Sequence, residues 1–149
     1  MTLRRLATLL LLPLLLLAVA GCSSSGGAST GSLTVSGAWV RVPNVPGTTA
    51  AYVTITNGTS ADDALMSASS TAATDVSIHE TTTDSGMTGM HMVPSIKIPA
   101  GQTVELKPGG YHIMLMGVIG DLKAGSTVQL VLTFEHAGVV KVTAEVRAS

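Results

Sequence analysis

The stretch Thr127-Val-Gln-Leu-Val-Leu-Thr-Phe-Glu-His-Ala-Gly-Val-Val-Lys-Val-Thr-Ala-Glu-Val-Arg147 decides the fold. Apolar residues fill every second position on both sides of Glu135–Gly138, and polar or charged residues fill most of the positions between them. Such alternation is typical of β-strands that bury one face. We expect Glu135–Gly138 to join the two strands as a hairpin, with His136 as a solvated turn residue.

The rest of the chain has the same character. Threonine and valine are abundant, and glycine or proline interrupts the sequence about every ten residues, as in a sandwich or barrel of short strands. Turns are predicted at Asn57-Gly58, Pro99–Gly101 and Pro108–Gly110, and Asp121–Gly125 forms a short helical turn at most. Further strands are predicted at about residues 33–42, 50–57, 64–70, 74–80, 103–106 and 111–117.

The N-terminus has the form of a targeting segment. Arg4-Arg5 precedes the apolar run Leu6–Ala20, which is too short for a comfortable membrane span. The run ends in Val19-Ala-Gly-Cys22, which resembles a bacterial lipobox. We therefore predict a lipoprotein signal peptide at residues 1–21 and lipid attachment to Cys22. The alternative is an ordinary secretory signal with Cys22 as a stray thiol.

The composition beyond the signal peptide indicates one domain on a tether. Residues 22–32 are mostly serine and glycine and cannot bury apolar surface. Residues 33–149 are enough for a single domain with its own core. Without Arg4-Arg5, six basic side chains remain against nine acidic ones, a net charge of −3. With no basic patch and few aromatic residues, nucleic-acid binding is not expected.

Four soft potential ligands stand at a regular spacing. Ten residues separate His79 from Met90, 21 separate Met90 from His112, and one residue separates His112 from Met114. Imidazole and thioether groups suit cuprous copper, Cu(I), and not hard ions such as magnesium or calcium. Taken singly, each has a plainer explanation, because a histidine can be a satisfied surface residue and a methionine can fill a core.

The strand pattern places some of these side chains together. On the strand at 111–117, His112 and Met114 point to one face, because alternate residues of a strand share a face. Met116 points the same way, but we favour a core-filling role for it. His79 is expected to face outward, and Met90 falls in the Gly/Thr/Ser-rich segment 81–90, which we predict to be a flexible loop.

Three further soft groups lie close to Met90 in the sequence. Met87, His91 and Met92 are possible auxiliary metal ligands that could substitute for a ligand or help to hand metal across. We favour the alternative that they belong to a variable loop, because they fall outside the four-residue spacing.

The spacing H-x(10)-M-x(21)-H-x-M resembles the motif of the PCuAC (DUF461) family of copper chaperones. Four further segments also resemble family sequence: Gly37-Ala-Trp-Val-Arg41, Ala50–Asn57, Ile78–Thr81 and Lys107–Met116. The resemblance extends from about Leu33 to Val146. It implies a cupredoxin-like Greek-key β-sandwich in which His79, Met90, His112 and Met114 bind Cu(I).

The resemblance also implies a role. PCuAC proteins are associated with delivery of Cu(I) to the CuA site of cytochrome c oxidase, often together with Sco-type proteins. The chain is thus expected to be an extracytoplasmic copper chaperone, anchored to the membrane by lipid on its periplasmic or outer face. Copper storage or resistance would need the same ligands, so that function stays open.

Two other classes of protein are weighed against this function. A blue-copper electron carrier needs a cysteine thiolate, and the only cysteine is Cys22, which is assigned to lipid. A hydrolase is not expected, because no Gly-x-Ser-x-Gly or His-Glu-x-x-His motif is present. A lipoprotein that binds a protein partner and no metal would have a similar composition, and only a binding experiment separates it from a chaperone.

Overall fold

The computed structural model describes residues 31–148, which form ten β-strands and no helix. The predicted signal peptide, Cys22 and most of the predicted tether lie outside the described residues. Within them, no helix is long and apolar enough to span a membrane. The strands are β1 Leu33–Arg41, β2 Thr48–Asn57, β3 Asp63–Ser69, β4 Ala73–Asp84, β5 Met87–Met92, β6 Ile96–Ile98, β7 Thr103–Glu105, β8 Tyr111–Val118, β9 Thr127–Phe134 and β10 Val139–Arg147.

The strands form one continuous hydrogen-bonded path, β5-β4-β8-β2-β1-β10-β9-β3-β6, with β7 paired to the second half of β2. β1 and β10 are parallel, and the other pairs are antiparallel. β3 and β4 also lie against each other without ladder pairing. The path closes on itself as a β-sandwich, so the predicted all-β, cupredoxin-like fold is confirmed.

The core consists of aliphatic side chains from alternate positions of the strands. On β8, Ile113 and Leu115 are fully buried, and Ile78 of β4 and Ala51 of β2 flank Ile113 across the sheet. Burial of one such aliphatic side chain stabilises a fold by about 1.5–3 kcal/mol. With a single cysteine in the chain no internal disulfide can form, so this burial and the strand ladders hold the domain together.

A kink in β1 brings two aromatic residues together. Between Ser36 and Trp39 the register against β2 shifts, and Gly37 takes a φ of 60°, which glycine accepts without a Cβ clash. Beyond this bulge Trp39 stands opposite Tyr52, and the centroids of their rings are 4.4 Å apart. The bulge therefore fixes one side of the region that later forms the candidate site.

The predicted strands are all present, with bounds that differ by a few residues, but β5 and β6 were not predicted. The prediction of a flexible loop at 81–90 is wrong, because β4 continues to Asp84 and pairs with β5 as a hairpin. Ser85 and Gly86 form its two-residue turn, with φ of 51° and 82°. All six residues of β5 are exposed, so no apolar alternation marks the strand in the sequence. Asp121–Gly125 forms no helix.

Candidate metal centre

Strand β8 provides two of the four predicted ligands. Ile113 and Leu115 enter the core, so His112 and Met114 point to the opposite face of the sheet, as predicted. Met114 lies between Ser77 of β4 and Ala50 of β2 in the strand register. Although it faces away from the core, the side chain of His112 is only 4% exposed. Neighbouring segments must therefore cover it.

His79 is the cross-strand partner of His112. The two residues are directly opposite in the antiparallel β4–β8 pair, where side chains of opposed residues share a face. Their imidazole rings are stacked, with centroids 5.8 Å apart and planes inclined by 29°. The outward orientation predicted for His79 therefore brings it beside His112.

The tautomer of His112 is set by the turn that precedes β8. Nδ1 of His112 lies 3.0 Å from the carbonyl oxygen of Gly110, and because a carbonyl only accepts, Nδ1 must carry the proton. The same oxygen accepts a hydrogen bond of 3.1 Å from the backbone N–H of Thr81, so it also ties the turn to β4. Nε2 of His112 keeps its lone pair, as a metal-binding imidazole requires.

His79 has one ring nitrogen without a protein partner. Its Nε2 lies 3.0 Å from the hydroxyl of Ser77, whereas its Nδ1 is buried and has no hydrogen-bond partner. When Nε2–H donates to Ser77, Nδ1 presents a buried lone pair, which a metal ion would satisfy. Burial lowers the pKa of His79, and the nearby His112 and His91 lower it further, which favours the neutral ring that can bind metal.

Met90 reaches the same region from the β4–β5 hairpin. It stands opposite Thr81 and is 59% exposed. Met90, His112 and Met114 line one pocket of about 320 Å³, together with Thr81 and the turn before β8. The structure thus brings three of the four predicted ligands to one pocket, and it places His79 against His112. Their role as metal ligands stays a prediction.

The far wall of this pocket contains residues that the sequence did not single out. Arg41 and Tyr52 both line it, and the Arg41 guanidinium carbon lies 5.9 Å from the centroid of the Tyr52 ring. Nε of Arg41 is buried without a hydrogen-bond partner. The signal available in the sequence was the segment Gly37-Ala-Trp-Val-Arg41, which contains the register shift of β1 and ends at the pocket wall.

The three possible auxiliary ligands do not share one location. Met87 and His91 lie on the opposite face of the hairpin from Met90, because they alternate with it along β5. Nε2 of His91 is 3.5 Å from the Glu80 carboxylate, which draws it further from the pocket. Met92 shares the face of Met90 and stands directly opposite His79.

Met116 and His136 are the two remaining residues whose positions were predicted. Met116 is half-buried on the face of His112 and Met114 and is not among the core residues, so the core-filling prediction for it is wrong. β8 simply continues its alternation through Met116. His136 lies in the turn between β9 and β10, as predicted, and its backbone N–H donates to Asp63.

The donor set defines what this pocket can bind. Two imidazoles and two thioethers are all neutral when the histidines are unprotonated. Among residues 31–148 there is no group of three or more histidine, cysteine, aspartate or glutamate side chains suited to a metal ion. Thioether sulfur together with imidazole nitrogen suits a soft monovalent cation better than a hard divalent ion.

Fold and pocket together define a small β-sandwich domain with a His/Met pocket on one sheet face, the PCuAC type of domain. Residues 33–146 match the profile of the family described as "Putative lipoprotein LpqE-like". The chain belongs to this LpqE-like family. It is also 35% identical over 141 residues to "Putative lipoprotein Lxx21020" of Leifsonia xyli subsp. xyli, covering 89% of this chain and 84% of that protein.

Solved structures agree with this assignment. The solution structure of CuI-DR1885 from Deinococcus radiodurans is 37% identical, with a TM-score of 0.64, over 82% of this chain and 84% of that one. The copper-bound PCuAC domain from PmoF2 has a TM-score of 0.68 at 24% identity, over 80% of this chain and 95% of that domain. The first supports kinship, and the second shows a shared fold.

Proposed function

We propose that this protein is an extracytoplasmic Cu(I) chaperone that binds one copper ion through His79, Met90, His112 and Met114 and passes it to a membrane-associated acceptor. The observation that carries the proposal is the meeting of Met90, His112 and Met114 in one pocket, with His79 stacked on His112. The Cu(I) form of the 37%-identical DR1885 adds support from a relative.

The geometry suits capture followed by release. Thioethers bind without losing a proton, and the lowered pKa of His79, caused first by burial, favours the neutral ring that binds metal. A neutral donor set leaves the bound ion its full positive charge, and the Arg41 guanidinium on the pocket wall opposes that charge. Because Met90 is exposed on the hairpin, an acceptor can reach the ion and replace this ligand.

A Cu(I) titration against a chromogenic chelator, without oxygen, tests the binding. The wild-type protein should take one copper per chain, and His112→Ala and Met114→Ala should lose it or hold it much more weakly. Met87→Leu is the matched control, because Met87 lies on the opposite face of the hairpin and is 77% exposed. Failure of the wild-type protein to compete with the chelator would instead favour a lipoprotein that binds a protein partner.

The identity of the acceptor belongs to the same proposal. The family resemblance points to the CuA site of cytochrome c oxidase, with a Sco-type protein as a further partner. Deletion of the gene should then lower oxidase activity when copper is scarce, and copper supplementation should restore it. A deletion strain that grows poorly only at high copper would favour storage or resistance.

We also propose that lipid on Cys22 anchors the domain, after removal of residues 1–21. The relatives named as lipoproteins support this, as does the small-residue sequence before Cys22. Cells fed a labelled fatty acid should label the wild-type protein and not Cys22→Ala. Release of the variant from the membrane fraction would accompany the loss of label.

A further inference from the structure

A second pocket lies next to the candidate metal centre, where β3 meets the β4–β5 hairpin. It has a volume of about 320 Å³, and its walls include Met66 of β3 and Met92 of β5. Both methionines are substantially exposed, at 44% and 69%. They come from strands far apart in the sheet path, so only the closing of the sandwich brings them to one pocket.

The strand register connects this pocket to the metal centre. Met92 stands opposite His79, and His79 stands opposite His112, so the three side chains form a line across β5, β4 and β8. Directly opposed residues of antiparallel strands have Cβ atoms about 4.5–5.5 Å apart. A metal ion bound between the two histidines would therefore have Met92 as its next soft neighbour toward the second pocket.

Ser77 is the second link between the two sites. It lines the pocket of Met66 and Met92, and its hydroxyl lies 3.0 Å from Nε2 of His79. The remaining walls are apolar or carry hydroxyl groups, and no lysine or arginine is among them. A cation would thus meet two thioethers and no opposing charge there, in contrast to the Arg41 wall of the first pocket.

Resting on the proposed function, we propose that Met66 and Met92 form a second, weaker Cu(I) position through which the ion enters or leaves the four-residue centre. Transfer is a ligand exchange beside His79. A copper–sulfur bond to Met92 forms as a bond to a ligand of the first pocket breaks, and the ion stays monovalent throughout. Two thioethers bind more weakly than four ligands, so the second position fills only after the first.

Methionine methyl NMR during titration with Ag(I), a soft monovalent ion without Cu(I) redox chemistry, tests the second position. Full-length protein in detergent, labelled with ¹³C at the methionine methyl groups, is titrated past one equivalent. The first equivalent should shift Met90 and Met114, and the second should shift Met66 and Met92. Met87 is the internal control, because it is the most exposed of these methionines and faces away from both pockets.

The titration separates failure of the second position from failure of the proposed function. If Met90 and Met114 respond to the first equivalent but Met66 and Met92 then move no more than Met87, the second position does not exist and the proposed function stands. If Met90 and Met114 do not respond at all, the proposed function fails and this inference fails with it.

A kinetic experiment tests the route with Cu(I) itself. Met92→Leu should slow the transfer of the first equivalent of copper to an external chelator. Met66→Leu should also slow it, and Met87→Leu should leave the transfer rate unchanged. Equal transfer rates in all four proteins would overturn a route through this pocket, even if both positions bind metal.

Discussion

Two regions of this domain bury polar side chains, and they differ in whether the buried polar atoms have hydrogen-bond partners. At the end of β2 and the start of β3, Asn57 and Asp63 are 0% and 7% exposed. The Asn57 amide donates to the carbonyls of Ala61 and Ile98 and accepts two bonds from Thr59. Every polar atom of this side chain is thereby paired.

The carboxylate of Asp63 is also fully supplied with hydrogen-bond donors. Its carboxylate accepts the backbone N–H groups of Ala64, His136 and Ala137 at 2.7, 3.0 and 2.9 Å, which attaches β3 to the β9–β10 turn. In the candidate metal centre, by contrast, Nδ1 of His79 is buried and has no hydrogen-bond partner among the described residues. A buried group with all its bonds made stabilises the fold, whereas one with a bond left over is available to a ligand.

The region around Asn57 and Asp63, here called the saturated corner, has hydrogen-bond partners for its buried polar side chains. A substitution in this corner should have the largest effect on stability. Asn57→Ala removes four hydrogen bonds and takes the side-chain donor away from the buried carbonyl of Ile98, so it should lower the free energy of unfolding by about 3 kcal/mol. Urea unfolding measures this. The fraction of variant that folds should still bind one Cu(I) with unchanged affinity.

The exposed Asn44 supplies the matched control for that substitution. Asn44→Ala should change stability by less than about 0.5 kcal/mol, because this side chain is largely in solvent. Equal losses in the two variants would mean that the buried hydrogen bonds of Asn57 are not what holds the corner.

A substitution at Ser77 should affect the candidate metal centre and leave the stability of the fold nearly unchanged. Ser77→Ala removes the hydroxyl that orients the His79 ring and should weaken Cu(I) binding about tenfold, as loss of a partner to a ligating histidine commonly does. Stability should hardly change, because Ser77 is only partly buried. Competition with a chelator measures the affinity, and Ser69→Ala, an exposed serine on β3, is the control.

The sequence predicted most of the fold because most strands bury one face. β9 and β10 show this alternation in their letters, and the observed ladder pairs them through seven residues from Val139↔Thr133 to Glu145↔Thr127. β5 has no buried face, and its pairing depends on the turn at Ser85-Gly86 and on the length of β4. Neither the turn nor the length of β4 produces a hydrophobic alternation that could be recognised in the sequence.

The candidate site was predictable to a similar extent. Spacing and strand alternation place His112 and Met114 on one face, but the distance from His79 to His112 depends on the β4–β8 register. Two determinants come from chain segments whose approach is set only by the folded sheet: the position of Arg41 on the pocket wall, and the meeting of Met66 and Met92 in one pocket. Sequence order gives no such distances.

Acid should affect the saturated corner through Asp63. Burial alone would raise the pKa of this carboxyl, but the hydrogen bonds from His136, Ala64 and Ala137 outweigh it and hold the pKa below its ordinary value of 3.8. A depressed folded-state pKa stabilises the fold above the unfolded-state pKa, and this stabilisation is lost as pH falls through the folded-state value.

Unfolding measurements from pH 6 down to about pH 2 should therefore show a loss of stability that begins near pH 4. Asp63→Asn should flatten that part of the profile, because an amide does not titrate, and should lower stability at pH 6. Asp84→Asn, at an exposed carboxyl beside the hairpin turn, serves as the control. A profile for Asp63→Asn as steep as the wild-type one would assign the acid sensitivity to other carboxyls.

The smallest effect concerns the hairpin that carries Met90. Ser85 adopts a φ of 51°, where glycine is free of the strain that a Cβ introduces, so Ser85→Gly should stabilise the β4–β5 hairpin by about 0.5–1 kcal/mol. Amide hydrogen exchange in β5 should slow roughly two- to fivefold, and the free energy of global unfolding should rise by about the same 0.5–1 kcal/mol. Ser85→Val, which adds a branched Cβ at the same φ, should speed that exchange.

If both variants exchange like the wild-type protein, turn strain does not limit the order of the hairpin. The exposed pairing of β5 with β4 would then be what holds Met90 at the pocket.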